Sequence, residues 1–464
     1  MFDKSVYISR RKRLLEQVKD GVILLLGNSE ASCNYRDNQY PFRQDSNFLY
    51  FFGLDKPDLA ALIDAETGEE IIFGDDMDID DIVWMGPQPL MADQAAEVGV
   101  GKTAPFAKLA DCLKEAQQKG RTIHFLPPYR NHNKILLHQL LGVGFDQMKP
   151  AASVKLIKAV VSLRLIKEPC EIAEIDKACA LGYTMHVAAM KMMRLGMKEQ
   201  EVVGIMEGVA CSGGLMSSFP TILSQHGETL HNHKHDDILT DGRLCVVDAG
   251  AEIASHYCSD NTRTLPTGGK FTQKQKDVYN IVLAANDYAR EASFPGVTYR
   301  EVHLGAAKII VQGLKNLGLV HGDVDEMVAV GVQGLFMPHG LGHNMGLDVH
   351  DMEDLGEDYV GYDPDQTRAR QLGLGSLRMA RRLVAGHVIT DEPGIYFIPA
   401  IIEKLKKEGH NAHFVNFDKL ESYYDFGGIR LEDDLLITPK GARILGPARI
   451  PITVEEIENT MYSD

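Results

Sequence analysis

The sequence has no long hydrophobic run. The longest apolar stretch near the N-terminus is Val22–Leu26, ended by Gly27, which is too short to span a bilayer or to form the core of a secretion signal. No basic stripe offsets the net charge of −17, which results from 48 basic and 65 acidic residues. We therefore expect neither a membrane nor a nucleic acid as partner. The acidic balance is compatible with carboxylates gathered around cations.

Cysteine is scarce and shows no pattern. The seven cysteines are scattered, odd in number and without a CxxC spacing. That distribution suits neither a disulfide framework nor a thiolate zinc site. We expect reduced thiols and a cytoplasmic location. Repeats of solenoid length and low-complexity linkers are also missing, which excludes array architectures.

A length of 464 residues predicts two domains. In residues 1–160 short apolar runs alternate with helical stretches, as in α/β domains. Predicted elements there are strands at Val22–Leu26, Leu59–Ile63 and Glu70–Phe73, and a helix at 106–118. Residues 161–464 mix helices and strands, and their first long amphipathic helix begins at Pro169, because proline suits a first helical turn.

Acids and histidines of the second domain lie beside apolar strands or glycines. The candidates for chemistry are Asp248, Asp260, His339, His343, Glu392 and Glu432. Taken singly, each acid has a plain structural interpretation as a turn, an Asx turn or a solvated strand edge. The i, i+4 spacing of His339 and His343 resembles an HExxH zinc helix. However, the intervening Gly-Leu-Gly is poor helix and lacks the catalytic Glu.

Taken together, four strand-borne carboxylates and one imidazole form a donor set for hard or borderline divalent ions. Four buried carboxylates without cations would repel each other and titrate upward. Two divalent ions would remove that repulsion. Such a pair can also activate a water molecule and polarise a carbonyl. The composition of the set therefore favours a two-metal hydrolase.

The flanking sequences extend this interpretation to a family. VVDAG, SDNTRTLP, HGLGHNMGLDVHD, DEPGIYF and GIRLEDD resemble the aminopeptidase P and prolidase branch of the pita-bread metallopeptidases, peptidase family M24. Upstream, Tyr40–Gly53, Trp84–Gly86 and Arg164–Ile175 also resemble that branch. The resemblance implies an α/β N-terminal domain over residues 1–160 and an α+β pita-bread catalytic domain over 161–464.

The resemblance also implies roles for individual residues. Two divalent ions, most simply Mn²⁺ with Co²⁺, Fe²⁺ or Zn²⁺ as alternatives, would be held by Asp248, Asp260, His343, Glu392 and Glu432. Glu392 would also carry the proton, and His350, His339 and His231 would face the substrate. Arg430, two residues before Glu432, would orient the metal carboxylates.

Two further residues bear on the substrate. Arg378 resembles the prolidase arginine that grips the free carboxylate of an Xaa-Pro dipeptide, although it also fits a surface arginine in a basic stretch. Trp84 fits either a core residue or a side chain that lines the proline subsite of its own or a neighbouring subunit. Of these two, the core interpretation is favoured.

The implied activity is hydrolysis of the bond preceding proline in peptides, as an Xaa-Pro aminopeptidase, with a prolidase acting on dipeptides as the alternative. A non-catalytic pita-bread interaction module is a remote alternative, as is a metal-free creatinase, because the five ligands are retained. Relatives imply a homodimer or homotetramer. Asp260 follows Asp248 by twelve positions, one more than is usual in the family. A hairpin can absorb one residue as a β-bulge, and the sequence leaves the pairing register of the two strands open.

Overall fold

The computed structural model describes residues 2–409 and 411–462, and the chain forms two compact units. The first unit comprises the stretch up to Arg164 together with Asp354–Tyr359, and the second comprises Leu165–Glu353 and the stretch from Val360 onward. The sequence places the boundary near residue 160 and does not indicate the return of Asp354–Tyr359. The predicted outer bounds, Met1 and Asp464, lie outside the described residues.

The first unit is built around a mixed five-stranded sheet in the order β6-β5-β4-β1-β7. The strands of the first unit are β1 Val22–Leu26, β2 Ser32–Tyr35, β3 Asn38–Gln39, β4 Ala60–Asp64, β5 Glu70–Phe73, β6 Thr103–Ala104 and β7 Ile123–His124. Its helices are α1 Lys4–Gln17, α2 Ser46–Phe52, α3 Ile79–Met85, α4 Met91–Glu97, α5 Lys108–Gln118, α6 Asn131–Leu141, α7 Met148–Ala151 and α8 Val154–Arg164. Strand β1 is buried over four consecutive residues, as its unbroken apolar sequence requires. The strands and helix predicted here are confirmed within two residues.

Trp84 is not a core residue, and the interpretation favoured for it is wrong. It lies on α3, none of whose residues is buried, and its side chain is 84% exposed. The helix is held at its start by Asp78, whose side chain accepts from the backbone N–H of Asp81. Its apolar residues therefore face solvent in this single chain, and an isolated Trp in the sequence carries no signal of that.

The second unit contains short sheets surrounded by long helices. Its strands are β8 Met216–Ser217, β9 Ile222–Ser224, β10 Leu244–Ala249, β11 Ala251–Glu252, β12 Asn261–Pro266, β13 Val388–Asp391, β14 Gly394–Tyr396, β15 Gly428–Arg430, β16 Asp433–Thr438 and β17 Gly441–Ile444. Its helices are α9 Pro169–Met192, α10 Glu199–Gly213, α11 Gln273–Ala292, α12 Tyr299–Asn316, α13 Val324–Val330, α14 Glu357–Val360 (shared with the first unit), α15 Pro399–Glu408, α16 Phe417–Leu420 and α17 Val454–Tyr462. Single 3₁₀ turns occur at Val332–Leu335, Glu353–Leu355, Ala412–Phe414 and Glu421–Tyr423.

Strand pairing in the second unit is antiparallel throughout its described sheets. The order is β12-β10-β9 in one sheet and β13-β16-β17 in another, with β14-β15 and β11-β8 as two-stranded pairs. Helix α9 begins at Pro169, as predicted, and its start is closed by a capping box between Glu168 and Glu171. One apolar core runs from α9–α12 to the strands that carry the candidate ligands.

The strands that carry Asp248 and Asp260 pair without a bulge. The β10–β12 register runs unbroken from Leu244 opposite Pro266 to Ala249 opposite Asn261. The extra residue therefore leaves the register of this ladder regular. The connection between the strands includes a turn at His256, whose φ of 66° is left-handed. A turn can absorb an extra residue without shifting the ladder.

Among the described residues, none of the helices combines the length and the apolar character that a bilayer span requires.

Candidate metal centre

Strand pairing brings the candidate acids together. Asp248 in β10 lies opposite Thr262 in β12, and Thr262 in turn forms a β-bridge to Glu432. Asp260 immediately precedes β12. Thr262 is therefore the central position between two acids on neighbouring strands, because cross-strand partners are the closest neighbours in a sheet.

The segment carrying His343 runs beside β13. The backbone N–H of Thr390 donates to the carbonyl of His343 at 2.9 Å, and that of Glu392 donates to the carbonyl of Leu341 at 2.8 Å. A Cβ at Gly342 would lie 2.1 Å from the Thr390 carbonyl oxygen, so only glycine permits this approach. The Gly-Leu-Gly sequence thus serves close backbone contact and forms no helix.

Three of the predicted ligands converge most tightly. One donor atom from each of Asp260, His343 and Glu432 lies within 4.8 Å of the others, and all three residues are buried. The Nε2 atom of His343 is 3.3 Å from Asp260 Oδ2 and 3.8 Å from Glu392 Oε1. The structure therefore groups four of the five predicted ligands around one imidazole nitrogen.

Asp248 completes the group from the side of Arg430. The guanidinium donates from Nη2 to Asp248 Oδ2 at 2.6 Å and from Nε to the hydroxyl of Thr262 at 3.2 Å. The Thr262 hydroxyl donates to Glu432 Oε2 at 2.6 Å. The second oxygen of Asp248, Oδ1, is buried and lacks a hydrogen-bond partner among the described residues. A buried carboxylate oxygen without a hydrogen-bond donor is typical of a residue that binds a cation through that oxygen.

The imidazole of His343 is also prepared for a cation. Its Nδ1 lies 3.0 Å from the carbonyl oxygen of Asn344, an acceptor that fixes the proton on Nδ1. The Nε2 lone pair then points toward the oxygens of Asp260 and Glu392. Lone pairs facing anionic oxygens repel unless a cation lies between them. A histidine anchored through its other nitrogen is the usual arrangement of a metal ligand.

Burial and the close approach of the acids raise their pKa values. Burial, followed by the charges of neighbouring carboxylates, raises the pKa of Asp260 and of Glu432 well above the usual value. Burial likewise raises the pKa of Glu392. These residues therefore fit divalent ions in charge, donor type and geometry, and they include no thiolate.

His339 is held neutral. Its Nδ1 lies 2.7 Å from the carbonyl oxygen of Gly340, so the ring proton is on Nδ1, and Nε2 accepts from the hydroxyl of Tyr396 at 2.8 Å. The Tyr396 oxygen accepts from Arg430 Nη1 at 2.9 Å. Burial and the charge of Arg430 lower the pKa of His339 to about 3, and burial raises that of Tyr396 to about 12.

His350 lies against the centre. Its ring centroid is 4.4 Å from that of His343, with the two planes at 74°. The loop that carries it is anchored by a buried ion pair between Lys167 and Asp351 at 2.9 Å, with both side chains 1% exposed. The Nδ1 atom of His350 is 2.7 Å from Glu353 Oε2. Burial and the charge of His343 lower the pKa of His350.

Three other predicted residues lie at or outside this cluster. Arg378 is 2.9 Å from His350 through its Nη1 atom, so it borders the centre. His231 lies in an exposed loop, and its pKa is lowered by partial burial and by the charge of Arg430. Trp84 belongs to the first unit and remains a prediction as a substrate contact.

Sequence reasoning gave no role to Thr262, Tyr396 or Glu353, all of which contact predicted site residues. Thr262 stands two positions after Asp260, where strand alternation returns a side chain to the same face. The two-residue alternation of a strand therefore places Thr262 on the same face as Asp260, and this spacing could have identified it. For Tyr396 and Glu353 the contacts depend on tertiary structure, and the sequence offers no comparable spacing.

This arrangement has counterparts in known proteins. Residues 173–439 match metallopeptidase family M24, and residues 7–124 match the aminopeptidase P N-terminal domain. The chain is 31% identical to the Xaa-Pro dipeptidase of Homo sapiens, covering 98% of this chain and 93% of that protein. It is also 31% identical to a probable Xaa-Pro aminopeptidase of Aspergillus clavatus, covering 97% and 95%.

Solved structures give the same result. Escherichia coli aminopeptidase P with the inhibitor Pro-Leu matches with a TM-score of 0.80 at 29% identity, covering 99% of this chain and 98% of that one. A zinc-substituted form of that enzyme in complex with product matches with a TM-score of 0.81 at 28% identity and the same coverage. The predicted fold class, an α/β domain followed by a pita-bread catalytic domain, is confirmed.

Removal of divalent ions with EDTA should destabilise the protein, and more so as the pH rises. Without cations, Asp260 and Glu432 have raised pKa values in the folded state. The stability they contribute is complete below the unfolded value of about 4 and is lost as the pH rises through the raised values. The melting temperature of EDTA-treated protein should therefore fall from about pH 5 to about pH 8. Mn²⁺-loaded protein should lose much less over that range, and parallel curves would contradict the metal assignment.

Proposed function

Because the chain belongs to metallopeptidase family M24, we propose that it hydrolyses the peptide bond preceding proline and releases the N-terminal residue of Xaa-Pro peptides. The observation that carries this proposal is the buried convergence of Asp260, His343 and Glu432 beside Glu392 and Asp248. The relatives named above act, by their names, on Xaa-Pro substrates. A non-catalytic interaction module would have no use for such a set of buried acids.

Asp248, Asp260, His343, Glu392 and Glu432 would hold two divalent ions. When bound, such ions supply Lewis-acid polarisation of a carbonyl and a nucleophile derived from water at neutral pH. We infer Mn²⁺ as the resident ion, on the oxygen-rich donor set; Co²⁺, Fe²⁺ and Zn²⁺ suit the same donors.

The protein's own groups then handle the proton and the developing charge. Glu392, whose pKa is raised by burial, takes the proton from the nucleophile and passes it to the leaving nitrogen. His350 and His231 form hydrogen bonds with the substrate and orient it. His339, neutral and fixed by Tyr396, offers no charge that would compete with the ions. Arg430 holds Asp248 in its ligand orientation through the contact at 2.6 Å.

A proline-directed site needs no backbone N–H from the residue after the cleaved bond. The nitrogen of that bond carries the proline ring and has no hydrogen to donate. Sites that bind substrates as strands depend on that hydrogen and have no space for the ring. A centre that holds the carbonyl through ions avoids both problems.

Two activities remain open within this proposal. The human dipeptidase and the Aspergillus aminopeptidase are equally similar to this chain. A dipeptidase needs a cationic group that binds the free carboxylate of the substrate's proline. Arg378 could supply that group, because its Nη1 atom lies 2.9 Å from His350. That contact is the specific observation in favour of dipeptide cleavage.

We also propose a cytoplasmic homodimer or homotetramer. No disulfide links the seven cysteines, all of which lie in the described part of the chain, and this suits a reducing compartment. Helix α3 presents Ile79, Val83, Trp84 and Met85, each more than 60% exposed, and contiguous apolar patches of this kind commonly mark interfaces. In the assembly Trp84 would line the proline subsite of a neighbouring copy.

Glu392→Gln should abolish most of the activity while the fold remains intact. An amide neither carries the proton nor binds a metal as a carboxylate does, so kcat should fall by about 100-fold or more. Turnover of an Xaa-Pro peptide and the far-ultraviolet circular dichroism spectrum measure the two effects. Glu408→Gln, which changes an exposed acid of α15, is the control. Near-normal turnover of Glu392→Gln would show that the proton carrier is misassigned.

Arg378→Ala should distinguish the two activities. If Arg378 binds the carboxylate of a dipeptide, its loss should raise KM for Ala-Pro by tenfold or more, about the value of a charge-assisted hydrogen bond. KM for Ala-Pro-Ala, whose carboxylate lies one residue further on, should change far less. Equal effects on both substrates, or none, would remove the argument for dipeptide specificity and leave the aminopeptidase.

Trp84→Asp should shift the sedimentation coefficient toward a smaller species, because a buried charge disfavours an apolar interface. KM for Ala-Pro should rise in the same variant. Tyr35→Asp changes an exposed aromatic residue of β2 and serves as the control. An unchanged sedimentation profile for Trp84→Asp would contradict an interface at α3.

A further inference from the structure

Arg378 has an acidic partner within its own chain. Its Nη1 lies 2.6 Å from Oε2 of Glu353, and the same oxygen is 2.7 Å from Nδ1 of His350. The three atoms form a triangle, because Arg378 Nη1 and His350 Nδ1 are 2.9 Å apart. Since a guanidinium only donates, Glu353 Oε2 is the acceptor for both neighbours.

The contact joins two ends of one long insertion. Glu353 follows His350 by three residues, and Arg378 precedes Glu392 by fourteen. Both side chains are partly exposed, Arg378 by 34% and Glu353 by 43%, so the pair lies at the rim of the centre and is open to solvent. A group arriving from solvent can therefore reach it.

Glu353 is ionised in this arrangement. Its bond to His350, together with the charge of Arg378, lowers the pKa of the carboxyl to about 2. A substrate carboxylate that binds Arg378 must either displace this anion or lie beside it. Displacement breaks a charge-assisted hydrogen bond, and coexistence places two negative charges a few ångströms apart.

We propose that Glu353 is a specificity-determining residue, an internal carboxylate on Arg378 that selects against substrates whose own C-terminal carboxylate would bind there. The inference rests on the proposed role of Arg378 in the function above. It adds that possession of the arginine does not by itself make this chain a good dipeptidase. Peptides with at least one residue after proline place their carboxylate elsewhere and escape the competition.

The competing interpretation assigns Glu353 a supporting role, in which it holds Arg378 in place for the substrate. The two interpretations predict opposite signs. If Glu353 competes, removing its charge strengthens dipeptide binding; if it supports, the same change weakens it. Glu353→Gln is the suitable variant, because the amide oxygen still accepts from His350 Nδ1 while the negative charge is lost.

The experiment measures KM of the Mn²⁺-loaded enzyme for Ala-Pro, Ala-Pro-amide and Ala-Pro-Ala. Glu353→Gln should lower KM for Ala-Pro by about fivefold, the effect of one charge at about 5 Å in a solvent-exposed setting. KM for Ala-Pro-amide, which has no carboxylate, and for Ala-Pro-Ala should change by less than about twofold. Asp365→Asn, which removes the same charge from an exposed position of the same insertion, should leave all three nearly unchanged.

A raised or unchanged KM for Ala-Pro in Glu353→Gln overturns the inference. Equal falls for all three substrates, or an equal fall in Asp365→Asn, also overturn it, because the effect would then be general. Arg378→Ala, measured on the same substrates, distinguishes failure of the proposed role of Glu353 from failure of the carboxylate site at Arg378. If it affects Ala-Pro selectively while Glu353→Gln does not, only the role of Glu353 fails. If Arg378→Ala affects Ala-Pro and Ala-Pro-amide equally, the carboxylate site fails and the inference with it.

Discussion

Mutual repulsion of buried carboxylates is the constraint on which the catalytic unit depends. Asp248, Asp260, Glu392 and Glu432 occupy one buried region, and removing each anion from water costs several kcal/mol. Donors around the cluster offset part of that cost. Arg430 donates charged hydrogen bonds to Asp248 and to the hydroxyl of Thr262. The same hydroxyl donates a hydrogen bond to Glu432. Protonation relieves the remainder when ions are absent, as the raised pKa values of Asp260 and Glu432 show, and divalent cations would relieve it at higher pH.

Backbone pairing, more than side-chain reach, sets the positions of the ligands. Thr262 pairs with Asp248 on one side and bridges to Glu432 on the other, which fixes the separation of these two acids. The His343 segment is fixed in the same way, through backbone bonds to Thr390 and a glycine at the closest approach. Short side chains on paired strands have few rotamers to lose, so this geometry is preorganised at small entropic cost. Precise placement of this kind is what a two-metal reaction requires.

The sequence was most informative where function depends on local chemistry. The five candidate ligands stand out because acids at the ends of apolar strands are costly without a purpose, and the start of α9 follows from the conformational preference of proline. The sequence was least informative where a residue's environment depends on distant contacts. Trp84 is exposed because α3 packs none of its residues inside, and no period in its seven residues reveals that. The β10–β12 register stayed regular although the connection is one residue longer than usual, because turns absorb length more cheaply than ladders.

Substrate preference is decided outside the metal cluster. A dipeptidase and an aminopeptidase present the same bond to the same ions, so ligands common to both cannot distinguish them, and the two named relatives are equally similar to this chain. What differs between the substrates is the position of one carboxylate, and the groups able to sense it lie at the rim. In the roles proposed above, Arg378 attracts that charge and Glu353 repels it. Both residues contact His350, which packs on His343. Because the pair is half-exposed, its effect on binding is modest, on the order of 1 kcal/mol. Preference at this site is therefore a small difference between two opposed charges, which single substitutions in the insertion can tip while every metal ligand stays in place.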